Sequence, residues 1–131
     1  MTLKELSEYG NLLKKVERGE RLLESLCDTV ESSTQTLSRA PRKPGTADKV
    51  GDLTIEILDL TERLRHLRGE LHREEKKLSN YLTTIDDDII YTIFRLRFYR
   101  GYTWPRTAEV MGYDYDEEKV RKLAYRFIDG Q

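Results

Sequence analysis

The chain has 131 residues, 37% of them hydrophobic and 36% charged, with a formal net charge of −1. The hydrophobic share is low for one deep core and ordinary for long surface-rich helices, and the charge excludes a global positive field, so any affinity for phosphate must come from local placement of Arg and Lys. A single cysteine excludes an internal disulfide, the start MTLKELSEYGN has no signal-peptide core, and no run is apolar enough to span a bilayer; a cytoplasmic protein is expected.

With three Pro and eight Gly against many Leu, Glu, Lys and Arg, an all-α fold is expected. The first predicted helix carries a stripe at steps of three and four: Leu6, Tyr9, Leu13, Val16, Glu20, Leu23, Cys27 and Val30, widened by Leu12, Leu22 and Leu26. Cys27 reads as a small buried hydrophobe. The stretch ESSTQTLSRAPRKPGTAD holds two prolines and many Ser and Thr, which predicts a loop over 31–47. A sustained heptad follows, with Val50, Leu53, Ile57, Leu60, Leu64, Leu67, Leu71 and Leu78 as a hairpin or oligomerisation seam, continued by Tyr81 and Ile85 and interrupted by Glu74. So narrow a stripe must be covered, by the first helix folding back, by the same helix of a second chain, or by both together. A homodimer is the expected arrangement, with a monomeric hairpin as the alternative. Glu20 and Glu74 inside the seams either fix register or mark solvent-facing turns.

Residues 1–82 therefore form a predicted helical hairpin or coiled-coil stalk, and residues 83–131 a small domain. Thr84 or one of Asp86, Asp87 and Asp88 can cap a helix bearing Ile89, Ile90, Ile93, Phe94, Leu96 and Phe98, which ends at Gly101. Thr103 as N-cap and Pro105 in the first turn predict a short helix over 103–111, closed by Gly112. Val120, Leu123, Ala124, Phe127 and Ile128 then repeat at helical spacing, leaving Lys119, Arg121, Lys122 and Arg126 on other faces. This order is that of a helix-turn-helix, in which a first helix braces and a second meets the major groove.

The heptad-rich helix, LRFYRGYTWPRTAEVMGY and the basic helix after it together resemble the RinA/ArpU group of phage transcriptional regulators, whose C-terminal part is similar to region four of bacterial sigma factors. The resemblance covers about residues 38 to 128, through Leu96, Arg97, Gly101, Thr103, Trp104, Ala108, Met111, Gly112 and Tyr113. It implies a small DNA-binding regulator of late or packaging-linked phage genes, acting in the cytoplasm of a bacterial host, with RNA polymerase or another protein as a further partner. Two departures stand out: GYDYDEEKV places Val120 eight residues after Gly112, about two more than the family spacing, and Thr107 stands where the family carries Ile.

The expected DNA-binding residues are Thr103, Arg106, Lys119, Arg121, Lys122 and Arg126. The plainer reading of the same charges is a solvated face, with Glu117 paired to Arg121 and Glu118 to Lys122 one turn apart. Trp104 is expected to anchor the core beside Phe94 and Phe98, and the tyrosines at 99, 102, 113, 115 and 125 to form an aromatic surface that would also suit a protein partner. His66 and His72 lie six apart on different faces, no phosphate loop is present, and no catalytic, metal or cofactor site is expected: the chain reads as a non-enzyme. Two other readings are a protein-interaction module built on a degenerate helix-turn-helix and a small terminase-like DNA-packaging subunit, which would assemble as a ring.

Overall fold

The computed structural model describes the backbone of residues 1–39 and 46–131 and the side chains of residues 1–32 and 52–131. It is all-α: α1 (Leu3–Arg39), α2 (Thr46–Leu82), α3 (Asp88–Phe94) continuing into a π-helical turn (Arg95–Tyr99), α4 (Trp104–Met111) and α5 (Glu117–Asp129). None of these helices, within the described residues, is long and apolar enough to cross a membrane.

Helix α1 starts in a reciprocal capping box: the Thr2 hydroxyl accepts from the Glu5 N–H at 3.2 Å, and the Glu5 carboxylate accepts from the Thr2 N–H at 3.4 Å. It then runs well into the segment predicted as a loop, because α1 reaches Arg39 and α2 begins at Thr46. The loop over 31–47 is thus too long; residues 40–45, with both prolines, lie outside the described residues. Ser and Thr cost a helix only tenths of a kcal/mol each, far less than Pro does. Thr29 shows how such residues are accommodated, its hydroxyl donating back to the Ser25 carbonyl at 2.9 Å.

The molecule divides into two compact units. One is Lys14–Gly69, the hairpin portion of α1 and α2, where the described seam is Leu64, fully buried with Val16, and the half-buried Leu53, Ile57, Leu60 and Leu67. The side chain of Val50 lies outside the described residues. Leu64 sits against the backbone of Gly19, and Glu20, the polar seam position, accepts from the Arg68 guanidinium at 3.1 Å, tying the two helices together. Leu23, Leu26 and Val30 take the half-buried positions of α1, and Cys27 is exposed. The expectation of a buried Cys27 is corrected: it lies one step round the helix from Leu26, which takes the sheltered place.

The other unit joins Met1–Leu13 and Glu70–Gln131, so its boundary crosses the long helices instead of falling between residues 82 and 83. The reason is one continuous core: Leu6 and Tyr9 of α1 and Leu78 and Leu82 of α2 cluster with Ile85, Ile90, Ile93, Phe94, Phe98, Ala108, Val120 and Ala124. Leu71 is half-buried against it. Asp87 is the acid that caps α3, accepting from the Ile89 and Ile90 N–H groups at 2.9 and 3.2 Å. Glu74, the other polar seam position, accepts from Lys77 at 3.2 Å.

Candidate nucleic-acid interface

Three helices of the second unit build the site, and local chemistry sets each one. The π turn closes with the Arg100 N–H donating to the Arg95 carbonyl at 2.9 Å, and Gly101 follows at φ 75°, a conformation that favours glycine. The Thr103 hydroxyl then caps α4 by accepting from the Arg106 N–H at 3.2 Å. Gly112 ends α4 at φ 109°, its N–H donating to the Ala108 carbonyl at 3.2 Å. After the turn, the Asp116 carboxylate caps α5 by accepting from the Lys119 N–H at 2.7 Å. The turn between Gly112 and Asp116 is thus a short non-helical link ending in an acidic cap.

The core side of α5 is Val120 and Ala124, both fully buried, with Leu123, Phe127 and Ile128 half-buried beside them. Phe94 meets Phe98 and Phe127 edge-on at 5.2 and 5.5 Å between centroids. Trp104 packs edge-on against Phe98 at 6.2 Å and Tyr125 at 6.0 Å, so it anchors the core mainly through Phe98. Thr107 is fully buried with its hydroxyl donating to the Thr103 carbonyl at 2.9 Å; the polar group is satisfied within the helix and leaves no orphan.

Helical spacing puts Glu118, Lys122 and Arg126 on the stripe of α5 opposite Val120 and Ala124. Together with Asp116, Lys119 and Leu123 they line an open groove of about 340 Å³. Of the six expected residues, Lys119, Lys122 and Arg126 are therefore brought together. Arg121 stands on the flank, half-buried, 3.6 Å from Glu117. Thr103 and Arg106 belong to the start of α4, where the Thr103 hydroxyl is engaged as a cap and the Arg106 guanidinium lies 3.3 Å from Glu109 and over the Tyr102 ring.

The cations are not free of acids. Lys122 lies 2.9 Å from Glu118, and this hydrogen bond with the ammonium, reinforced by its charge, holds the Glu118 carboxyl below the ordinary carboxylate value. Lys119 donates to the Asp114 carbonyl at 2.9 Å and sits 4.8 Å over the Tyr115 ring. Lys119 and Arg126 have no carboxylate among the described residues within ion-pair distance, the Lys119 partner being a backbone carbonyl. The plainer expectation of pairs one turn apart is thus met at Glu117–Arg121 and Glu118–Lys122.

The structural role of Arg97, named above only for the resemblance, was not legible in the sequence. Arg97 donates to the Tyr102 carbonyl at 2.9 Å and lies 4.9 Å over Trp104, pinning the link between the π turn and α4, while its buried Nε has no partner. An arginine inside the apolar run RLRFY was the signal available. The expected aromatic surface is mostly committed: Tyr99 stacks on Tyr9 and donates to Glu75 at 3.0 Å, Tyr102 and Tyr115 lie under cations, Tyr125 meets Trp104, and Tyr113 stands fully exposed. Compared with known protein families, with curated proteins and with solved structures, the chain matches none.

Proposed function

We propose that this protein is a duplex-DNA-binding transcriptional regulator of the RinA/ArpU kind, with α4 bracing and α5 entering the major groove. One observation carries the reading: α5 buries Val120 and Ala124 completely while turning Lys122 and Arg126 outward at a four-residue step, beside Lys119. The ion pairs do not block it. They are exposed, and exposed pairs one turn apart are weak and screened, whereas phosphate gains from counterion release on taking the same cations. Because the seam is closed within the chain by Val16, Gly19 and Leu64, a dimer that spaces two such heads on DNA would form on another face.

A fluorescence-anisotropy titration with duplex DNA tests this. If about four cations, Lys119, Arg121, Lys122 and Arg126, reach phosphate or bases, the log–log slope of affinity against salt is roughly −3.6, and raising salt from 50 to 200 mM weakens binding on the order of a hundred-fold. Absence of binding at low ionic strength removes the reading.

A second reading is favoured by the pairing itself. With Arg106, Arg121 and Lys122 each beside an acid and Tyr113 and Val110 exposed next to the acidic turn, α4 and α5 would serve as a protein-binding head, with host or phage protein as partner. Charge reversal of Asp116, Glu117 and Glu118 that abolished capture of a partner, with no DNA binding at any salt, would favour it.

A further inference from the structure

The outward stripe of α5 holds an acceptor and a donor side by side, Glu118 Oε1 and Lys122 Nζ 2.9 Å apart, with both side chains exposed (66% and 61%). They border the groove, and the buried Val120 and Ala124 behind them prevent this face from turning inward. In a Watson–Crick pair, the amino group of one base, cytosine N4 or adenine N6, donates to the oxo group of the other, guanine O6 or thymine O4. The two atoms are an N–H···O distance apart, about 2.9 Å, and both lie on the major-groove edge. Each retains one free site there: a second hydrogen on the amine and a second lone pair on the oxygen.

We propose that Glu118 and Lys122 act as one unit that reads the orientation of a single base pair, the carboxylate accepting from the amino base and the ammonium donating to the keto base. The inference rests on the reading of α5 as a major-groove helix. C·G and A·T pairs in that orientation satisfy both tips at once, because their polarity and spacing mirror those of the ion pair. The reversed pairs, G·C and T·A, set carboxylate against oxygen and ammonium against amine. Guanine is favoured over thymine beneath Lys122, since N7 next to O6 offers a second acceptor, whereas thymine presents a methyl group. The Glu118 carboxyl is ionised at neutral pH, as an acceptor must be, and the Lys122 ammonium lowers its pKa further. The carboxylate also repels phosphate, so it adds selectivity while lowering general affinity.

The test is selection of duplexes from a randomised library by the full chain, followed by anisotropy on the selected site and its single-pair reversals. One position is expected to accept C or A on a given strand and to refuse G or T, reversal weakening binding roughly 5- to 150-fold. The exchange variant E118K/K122E should invert that preference at that position alone. E118Q, whose amide both donates and accepts, should flatten the preference while keeping or raising affinity. Wild-type binding with no amino/keto position, or with a preference that both variants leave unchanged, overturns the inference and leaves the DNA-binding function standing. A wild type that binds no duplex at low salt overturns that function and this inference together. Circular dichroism verifies that each variant is helical, and E118Q carries the test if the exchange variant does not fold.

Discussion

The same substitution at two glycines of α1 is expected to act with opposite sign. Replacing glycine by alanine in a helix removes backbone freedom from the unfolded chain and stabilises by about 0.5–1 kcal/mol. At Gly10 a methyl group meets nothing within 4 Å, so Gly10→Ala should realise that gain in full. At Gly19 the methyl carbon would stand 2.5 Å from Leu64 Cδ2 and 3.3 Å from its Cγ, and Leu64 is only 1% exposed. Ordinary carbon contacts need about 3.5–4.0 Å, so Leu64 must move by about 1 Å or change rotamer inside the seam. Overpacking of that kind costs about 1–3 kcal/mol, which cancels the propensity gain and leaves Gly19→Ala destabilised by about 0–2 kcal/mol. The two variants should therefore differ by about 1–3 kcal/mol, read as urea midpoints by circular dichroism. A double-mutant cycle sharpens the argument, because Leu64→Ala should cost less in the Gly19→Ala background, where it relieves the clash, than alone. Equal stabilisation by both glycine replacements would refute the close approach of α1 and α2.

Other outcomes follow from individual contacts. Asp87→Ala should destabilise by about 1 kcal/mol through loss of the α3 cap, with Asp86→Ala, outside that cap, nearly silent in the same melts. Thr107→Val should be within about 1 kcal/mol of wild type, since the Thr103 carbonyl still accepts from the Thr107 N–H at 2.9 Å and a methyl fills the space of the hydroxyl; Thr107→Ala, which leaves a void, should be clearly worse. Tyr99 is raised above its ordinary value of 10.0, first by its hydrogen bond to Glu75 and then by that carboxylate's charge. A raised folded value means that its contribution is fully present below pH 10.0 and is lost as pH rises through that value and beyond. The stability difference between wild type and Tyr99→Phe, from urea melts, should thus narrow as pH climbs above about 10; a gap that stays constant would disprove the Tyr99–Glu75 bond.

Much of the fold was legible because its determinants are local. Steps of three and four along Leu6, Tyr9, Leu13 and Val16, and the heptad through Leu64 and Leu78, follow from helical geometry alone, and the cap at Thr103 and the stop at Gly112 follow from backbone donors and positive φ. The loop over 31–47 was misjudged because Ser and Thr weaken a helix far less than Pro does. Cys27 was misplaced for a different reason, since a stripe at mixed spacing leaves two neighbouring residues competing for one sheltered position. Lys119, Lys122 and Arg126 were legible as a basic helix face, but the engagement of Thr103 as a cap and the flank position of Arg121 depend on where α4 and the core lie. Arg97 could not be assigned from its neighbours, because its partners, the Tyr102 carbonyl and the Trp104 ring, are reached only through the bend after the π turn.

The order of residues by itself determined that this chain is helical, where most helices begin and stop, and which faces are greasy, since helix periodicity and capping act over three or four residues. Only the tertiary structure decided that Leu6 and Tyr9 of α1 join the core that holds Val120 and Ala124 of α5, that Gly19 makes room for Leu64, and that Glu20 reaches Arg68. These contacts join residues dozens of positions apart, and the burial that stabilises them exists only once the distant segments have met.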